Sequence, residues 1–329
     1  MDALLDPQNA TATTGPDQTT ISTGQYHQHV LQEDALTGWQ QEYHLLQGGA
    51  FHGEVAQIDF GDIAIFREKT NLPMINRFCL PQDKVYFTAA LPGSADAFNH
   101  YGAFHGGETY LMHFAEEREV MISGPVDMIG VTFTPPPGIT ETPRYWQQVA
   151  GQTSDFVSWI ALLLGSFARN SDTKDLHRIA PLLIADRLSY VLDQLTAEDT
   201  RRHIVVSARR GDPTDLVRAS LDALRHLPKS DISVVMLAEE VDQPPATLRK
   251  AFRDALDQDL DAMLVALRMS HVHRILTHAH PRDVTVSAVA ADHGFLHWGR
   301  FAQRYRAMFG ELPVATLRRS DSHKRAVVG

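Results

Sequence analysis

Hydrophobic positions between about residues 37 and 134 fall in short runs that glycine or proline interrupts. The clearest alternation occurs in EVAQIDFGDIAIFRE, which has a Gly-Asp turn near its centre. Its apolar positions are Val55, Ile58, Phe60, Ile63 and Ile65. Three further segments of the same character are KVYFTAAL, ETYLMHFA and VDMIGVTFTPPPG. Alternation with regular turns predicts a β-sandwich or barrel, a fold that can enclose a small ligand.

Beyond residue 150 the hydrophobic spacing changes to the period of an α-helix. The segments DFVSWIALLLGSFARN and DLHRIAPLLIADRLSYVLDQL predict two helices between about 155 and 195. These helices are expected to pack as an antiparallel pair or against a second subunit. From residue 214 onward every segment predicts helix, including one long helix at about 259–279.

The C-terminal helical region contains the same short pattern twice, as LAEEVDQPPATLRKAF (237–252) and VAADHGFLHWGRFAQRY (289–305). Each copy has a short helix, a turn and a longer helix. Ala238 and Ala290 are small enough for close packing of the two helices, and Gly294 suits a turn residue with positive φ. This layout predicts two helix-turn-helix units.

At 100° per residue, each longer helix divides into a core face and an exposed edge. The predicted core faces are Leu248, Ala251, Phe252 and Ala255 in the first unit, and Phe301, Tyr305, Met308 and Phe309 in the second. The opposite edge of the first unit carries Ala246, Lys250 and Arg253, and that of the second carries Gly299, Gln303 and Arg306. Small residues let a backbone approach base edges, while Gln, Lys and Arg bind bases or phosphate. Trp298 lies toward the core side, either beneath the turn or against DNA.

Net charge divides the chain unequally. The whole chain carries −10, but residues 1–200 hold 10 Lys/Arg against 25 Asp/Glu, and residues 201–329 hold 20 against 15. The first part repels phosphate and the second, at +5, can approach it.

Composition indicates a globular cytoplasmic protein. The single cysteine, Cys79, excludes an intramolecular disulfide and fits a reducing compartment. No apolar run reaches the length of a membrane span, and the N-terminus lacks the pattern of a signal peptide. The Thr-rich residues 1–20 are expected to be a disordered tail.

On these motifs the last third of the chain, about residues 202–319, resembles the AraC/XylS-type bacterial transcription regulators. The resemblance is carried by Gly294-Phe295, Gly299-Arg300-Phe301, YRAMFGELP and LRR at 305–319. It implies two helix-turn-helix units joined by a rigid helix, with each longer helix entering a major-groove segment of promoter DNA. Further implied partners are a small-molecule effector, a second copy of the chain and, for an activator, RNA polymerase.

Residue by residue, the family's base-facing positions match Ala246, Arg249 and Lys250 in the first unit and Trp298, Gly299 and Gln303 in the second. With the flanking positions, the expected DNA-binding set is Pro245, Ala246, Arg249, Lys250, Arg253, Trp298, Gly299, Arg300, Gln303, Arg304 and Arg306. The chain departs from the family at Pro244, where a Ser usually caps the helix. Loss of a cap costs about 1 kcal/mol, so the first unit is expected to be looser or less specific than the second.

The front of the chain is more loosely similar to the cupin-like sensory domain of the ethanolamine and phenylethylamine catabolism regulators. GWQQEYHLLQGGAFHGEV (38–55) and FGDIAIFREKTNLP (60–73) carry this resemblance. It implies an effector-sensing domain. The candidate effector-binding residues are Trp39, Arg67, Glu68 and Tyr110.

Two alternatives stay open. His27, His29 and Glu33 have a spacing suited to a first-row metal, which would make the front a metal-dependent cupin enzyme. The same segment also predicts a helix, on which the two histidines point apart. A second possible cluster comprises His100, His105, Glu108 and His113. The other alternative is a ligand-independent DNA-binding scaffold.

The sequence therefore predicts an α+β multidomain protein that is not an enzyme and needs no cofactor, metal or catalytic residue. The expected parts are a disordered tail (1–20), a β-rich cupin-like sensor (21–150), a helical connector for dimerisation (151–200), a linker (201–213), an all-α double helix-turn-helix domain (214–319) and a tail (320–329).

Overall fold

The computed structural model describes residues 11–14, 19–79, 84–91, 94, 98–100, 103–104, 109–114, 118–134, 144–147, 152–169, 174–199, 213–228, 230 and 232–319. In this part of the chain a β-rich region comes first, two long helices follow, and the remainder is helical. The predicted order of secondary structure is confirmed.

The strands of the first region pair in antiparallel fashion. They are β1 (Thr11–Thr14), β2 (Thr20–Tyr26), β3 (Gln40–Leu45), β4 (Gly53–Asp59), β5 (Ile63–Thr70), β6 (Met74–Cys79), β7 (Val85–Ala90), β8 (Phe98–His100), β9 (Ala103–Phe104), β10 (Thr109–Phe114), β11 (Arg118–Ile122), β12 (Val126–Phe133) and β13 (Arg144–Gln147).

Among the described residues these strands make two sheets. The larger has the order β1-β2-β4-β5-β12-β7-β10-β13, and the smaller has the order β3-β6-β11-β8-β9. The predicted Gly-Asp turn joins β4 to β5 at Gly61, whose φ of 94° explains the glycine. The four predicted strand segments correspond to β4–β5, β7, β10 and β12.

The helices with assigned bounds are α1 (His29–Gln32), α2 (Gln152–Arg169), α3 (Lys174–Asp199), α4 (Pro213–His226), α5 (Val234–Glu240), α6 (Pro245–Leu256), α7 (Leu260–His278), α8 (Val286–Asp292) and α9 (Trp298–Phe309). A further helical segment at 313–319 follows α9. The predicted long helix at about 259–279 is α7. Among the described helices, none is both long and apolar enough to cross a bilayer.

Two local expectations differ from the structure. Residues 11–14, expected in a disordered tail, form β1 and pair with the edge of β2, with Thr11 opposite Thr23. Threonine favours strands, and β2 offers an unpaired edge. The helix expected around residues 25–39 is reduced to the four residues of α1, because β2 continues to Tyr26. The PPPG turn (135–138), residues 201–212 of the linker and the tail at 320–329 lie outside the described residues.

Each sheet carries a different helical layer on its outer face. Side chains of the larger sheet, including Ile65 and Phe87, form one buried cluster with Phe156 and Ile160 of α2. Side chains of the smaller sheet, such as Ile75, pack in another cluster with α4 to α7. A third cluster continues from the sandwich interior into α7 and α9. The C-terminal helices are therefore docked on the β-rich region.

Candidate nucleic-acid interface and ligand cavity

The two helix-turn-helix units share the same local construction. The predicted close-packing alanines, Ala238 and Ala290, are both buried. The amide of Gln243 donates to the carbonyl of Ala238 at 3.0 Å, and the amide of Phe295 donates to that of Ala290 at 2.9 Å. These equivalent bonds close the turn between α5 and α6 and the turn between α8 and α9.

Each turn contains a residue in the left-handed region. Gly294 has φ 77°, as predicted, and Asp242 has φ 51° in the first unit. Aspartate tolerates this conformation better than most residues, which explains a turn without glycine. The second connection is one residue longer, occupying 293–297 against 241–244 in the first.

Capping does not distinguish the two recognition helices, α6 and α9. The short helices are capped by Ser233 and Thr285, whose hydroxyls accept from the amides of Met236 and Ala288. Neither Pro244 before α6 nor His297 before α9 makes a side-chain cap bond. The expectation that a missing cap loosens the first unit alone is therefore wrong, because both helices lack this stabilisation.

The predicted core faces of α6 and α9 are confirmed, with Ala255 and Phe309 only partly buried. The side chain of Tyr305 is fully buried, and its hydroxyl lies 2.7 Å from Nδ1 of His273 on α7 and donates to Thr316 at 2.9 Å. Burial of the phenol raises the pKa of Tyr305. The contact with His273 holds α9 on the connecting helix α7, and the bond to Thr316 holds the helical segment at 313–319 on α9.

All predicted DNA-binding residues lie on the surface of α6 and α9. Ten of the eleven are exposed and Pro245 is half-buried. Trp298 is 46% exposed, while its ring packs on Phe301 with centroids 5.6 Å apart. The tryptophan therefore contributes both to the packing beneath the turn and to the outer surface.

Two of the three cations of α6, Arg249 and Lys250, have acidic partners that the sequence analysis did not predict. Arg249 makes a two-bond contact to Asp261 of α7, with Nε–Oδ2 at 2.6 Å and Nη2–Oδ1 at 3.2 Å. The hydrogen bonds from this guanidinium lower the pKa of Asp261. Lys250 contacts Asp254 one turn along the same helix at 2.9 Å. The spacing of four between Lys250 and Asp254 was visible in the sequence.

The cations of α9 are differently placed. Within the described part of the chain, Arg300, Arg304 and Arg306 make no ion pair. Their positive charge therefore remains uncompensated at the surface of α9.

A small cavity lies between the two sheets. Its volume is about 20 Å³, which accommodates roughly one water molecule. Trp39 and Glu68, both predicted effector residues, line it. The other lining residues are Tyr43, Thr70, Met74, Asn76, Phe78, Tyr86, Thr88, Val120, Ile122, Val126 and Met128.

Polar atoms inside this cavity are incompletely satisfied. Among the described residues, Thr70 Oγ1 and Asn76 Oδ1 are buried without a hydrogen-bond partner. Glu68 accepts from the Tyr43 hydroxyl and from Gln32 Nε2. Burial raises the pKa of Glu68. An open groove of about 630 Å³ adjoins the cavity, since Thr70 and Val126 line both.

The other two predicted effector residues are not seen at this cavity. Arg67 does not line it and instead makes a two-bond ion pair with Asp127, at 2.8 and 2.6 Å. A role of Arg67 in effector binding stays a prediction that this cavity does not support. Tyr110 lies in β10, whose side chains are outside the described part of the structure.

The residues of the metal alternative do not converge. The ring nitrogen Nδ1 of His27 lies 3.1 Å from Nδ1 of His52, whereas the ring of His29 stacks on His273. Glu33 contacts Arg274 at 2.6 Å. In the described ranges no cluster of three metal-ligating side chains occurs. The side chains of His100, His105, Glu108 and His113 lie outside those ranges.

Comparison with known proteins agrees with this geometry. The family described as "Helix-turn-helix domain" matches residues 237–319. The XylDLEGF operon transcriptional activator of Pseudomonas putida is 33% identical over 90 residues, which are 27% of this chain and 28% of the relative. The probable thc operon regulatory protein of Rhodococcus erythropolis is 31% identical over 103 residues, 31% of each protein. This chain therefore matches less than a third of the length of these relatives.

A probable AraC family transcriptional regulator from Rhodopseudomonas palustris CGA009 is a solved relative. It is 31% identical and covers 32% of this chain and 97% of its own, with a TM-score of 0.28. Residues 237–319 therefore form a helix-turn-helix domain.

Within this helix-turn-helix domain, the positions carried over from the AraC/XylS-type resemblance all lie at the surface of α6 and α9. Ala246, Lys250, Gly299 and Gln303 are exposed, as the helical wheel also predicted. Arg249 lies beside α7 through its contact with Asp261 rather than at the middle of the exposed edge. A base contact of Arg249 stays a prediction.

Proposed function

We propose that this protein is a sequence-specific DNA-binding transcription regulator. One observation carries the proposal: two helix-turn-helix units each present an exposed edge with a small residue, Ala246 or Gly299, and a long polar side chain four positions later, Lys250 or Gln303. The small residue allows the helix to approach the bases, and the longer side chain reaches them.

Charge supports this assignment. The surface of α9 carries Arg300, Arg304 and Arg306, which are exposed and available to phosphate. Phosphate contacts provide most of the non-specific affinity and position the helix in the groove, while base contacts provide specificity.

Selection of bound fragments from sheared genomic DNA tests the proposal. The experiment uses the full chain and is repeated at low and physiological salt. We expect enrichment of a few promoter segments with repeated half-sites at physiological salt. Binding that disappears with salt and enriches no sequence would contradict a specific regulator.

We further propose that a small-molecule effector occupies the cavity beside Trp39 and Glu68. Glu68 is buried, and Thr70 and Asn76 offer unpartnered polar atoms nearby. The rings of Trp39, Phe78 and Tyr86 lie within 5.1 to 5.9 Å of one another. These groups suit a compact ligand with an apolar body and a hydrogen-bond donor or cation directed at Glu68.

Thermal unfolding of the protein tests the effector proposal. It is measured in the presence of small-molecule metabolites of the enzymes that neighbouring genes encode. A ligand at 100 times its dissociation constant adds about 2.7 kcal/mol of stability. Glu68→Gln should abolish this gain. A gain that survives the substitution would place the ligand elsewhere.

We propose that two copies associate through α3. Its apolar side chains Ile179, Leu182, Leu183 and Tyr190 are exposed and lie on one side of the helix; Leu182 is 69% exposed. Leu182→Glu should shift the protein from dimer to monomer in light scattering. An unchanged mass would exclude this surface as the dimer interface.

For promoters that are activated, RNA polymerase is the additional partner, which in vitro transcription tests.

A further inference from the structure

Three strands of the smaller sheet separate the cavity from the DNA-binding domain. On β6, Met74, Asn76 and Phe78 line the cavity, and the alternating residue Ile75 lies in the buried cluster formed with α4 to α7. Successive side chains of a strand point to opposite faces. One face of β6 therefore contacts the cavity and the other contacts the helix-turn-helix region.

The neighbouring strand β11 has the same arrangement. Val120 and Ile122 line the cavity, while Met121 packs with the first unit. Glu119, also on the outer face, lies 3.7 Å from Nε of Arg225 on α4. The cavity wall and the docking surface of the first unit are thus a single layer of backbone.

On β3 this layer contacts the connecting helix. The hydroxyl of Ser270 on α7 donates to the carbonyl of Leu45 at 3.0 Å. The rings of His44 and His271 meet edge to face, with centroids 4.8 Å apart. In the loop after β3, the amide of Gly49 donates to the carbonyl of Met308 on α9 at 3.3 Å.

Tyr43 joins the two faces directly. Its hydroxyl donates to Glu68 inside the cavity, and its amide donates to Glu33 Oε1 at 2.8 Å. The same oxygen of Glu33 accepts from Arg274 Nη2 of α7 at 2.6 Å. One residue therefore connects the cavity with the helix that separates the two helix-turn-helix units.

The size of the cavity makes this connection consequential. A volume of about 20 Å³ holds no organic ligand, so binding must displace wall side chains. A ligand group directed at Glu68 competes with the Tyr43 hydroxyl for the same carboxylate. Displacement of Tyr43 disturbs the hydrogen bond from its backbone amide to Glu33, and thus the contact of Glu33 with Arg274.

We propose that the β3-β6-β11 layer transmits occupancy of the cavity to the DNA-binding domain, with Tyr43 as the coupling residue between Glu68 and the Glu33–Arg274 contact. This inference concerns regulation and rests on the proposed ligand control. A ligand that displaces the Tyr43 hydroxyl loosens α7 from β3 and changes how the two recognition helices are held relative to each other.

Hydrogen–deuterium exchange of the full-length protein tests the coupling without a known ligand. Tyr43→Phe keeps the ring and removes the bond to Glu68. We expect exchange in α7 to rise about fivefold, the lower end of usual coupling between sites. The matched control Thr88→Val removes a hydroxyl from the opposite wall and should leave α7 unchanged. Unchanged α7 exchange in Tyr43→Phe, or an equal rise in both variants, would overturn the proposal.

A second variant tests the connection from the other end and covers the case in which Tyr43→Phe does not fold. Arg274→Gln should raise exchange at the amide of Tyr43, because coupling between two sites is reciprocal. Unaltered exchange across β3 would overturn the proposal. These exchange measurements need no DNA. A failed fragment selection would therefore refute the proposed regulator function but leave the coupling testable. Unchanged exchange would refute the coupling but leave the proposed DNA binding untouched.

Discussion

The two helix-turn-helix units share one backbone plan but differ in surface charge and in attachment to the β-rich region. In the first unit, Arg249 and Lys250 are paired with Asp261 and Asp254. In the second, the arginines of α9 have no such partner among the described residues. Internal duplication of a fold therefore does not duplicate its electrostatics, and we expect the second unit to contribute more of the phosphate affinity.

Attachment differs as well. The first unit docks through apolar side chains such as Ile75 and Met121. The second is held through three stacked aromatic rings: His273 contacts His29 of the β-rich region and Phe309 of α9, at centroid distances of 5.0 and 4.1 Å, and His29 contacts Phe309 at 5.9 Å. Rings that can take up a proton make the second attachment sensitive to acid.

The largest expected effect comes from removing the core residue of either recognition helix. Phe301→Ala should cost about 3–5 kcal/mol and Leu248→Ala about 2–5 kcal/mol of unfolding free energy, because both side chains are fully buried. Urea unfolding measures both. A loss below 1 kcal/mol for Phe301→Ala would contradict the packing of α9 on α7 and α8.

Acid should act on the second unit before the first. Burial lowers the pKa of His29 to about 3, so the folded protein binds fewer protons than the unfolded chain between about pH 6.5 and 3. Stability is therefore lost as pH falls through this window, by up to about 1.4 kcal/mol per pH unit. Glu33, with its pKa raised by burial to about 7, has the opposite effect between about 4.5 and 7, so the loss due to these two groups is steepest below 4.5.

Urea unfolding as a function of pH checks this sign. His29→Phe should flatten the acid dependence, whereas His27→Phe, at an exposed neighbouring position, should not. Equal acid dependence in the wild type and His29→Phe would show that this histidine is not the acid-sensitive group.

Gly48 should be required for docking of the second unit alone. A Cβ at this position would lie 2.7 Å from the carbonyl oxygen of Ala307 in α9. Gly48→Ala therefore forces the loop and α9 apart, at about 1–3 kcal/mol. The control is Gly124→Ala, where a Cβ meets no atom within 4 Å. Increased exchange in α9 but not in α6 is expected; equal exchange in both helices would argue against a separate attachment.

The smallest expected effect concerns the paired cations. Asp261→Asn removes a carboxylate beside α6 and releases Arg249. DNA affinity should therefore rise a few-fold, and the salt dependence of DNA binding should steepen by the amount expected for about one further phosphate contact. Asp283→Asn, an exposed change of the same charge, is the control. Fluorescence anisotropy measures both, and an equal rise in the two variants would indicate only a net-charge effect.

The C-terminal helices and the edges of α6 and α9 were predictable because helical periodicity is local and both copies repeat it. The smaller sheet could not be predicted in the same way. Strands β3, β6 and β11 are enclosed on both faces, so residues such as Ile75, Asn76 and Met121 give no clean alternation. Contacts such as Arg274 with Glu33 join residues 241 positions apart, and no sequence period reports them.

The most direct test of the regulator is the base preference of Lys250→Ala and Gln303→Ala, measured with randomised sites at physiological salt. If the two recognition helices read DNA, each substitution should relax preference at its own cluster of base pairs, by about 1–3 kcal/mol, and the two clusters should lie in successive major-groove segments about one helical turn apart. Full retention of the wild-type preference in Gln303→Ala would contradict the account.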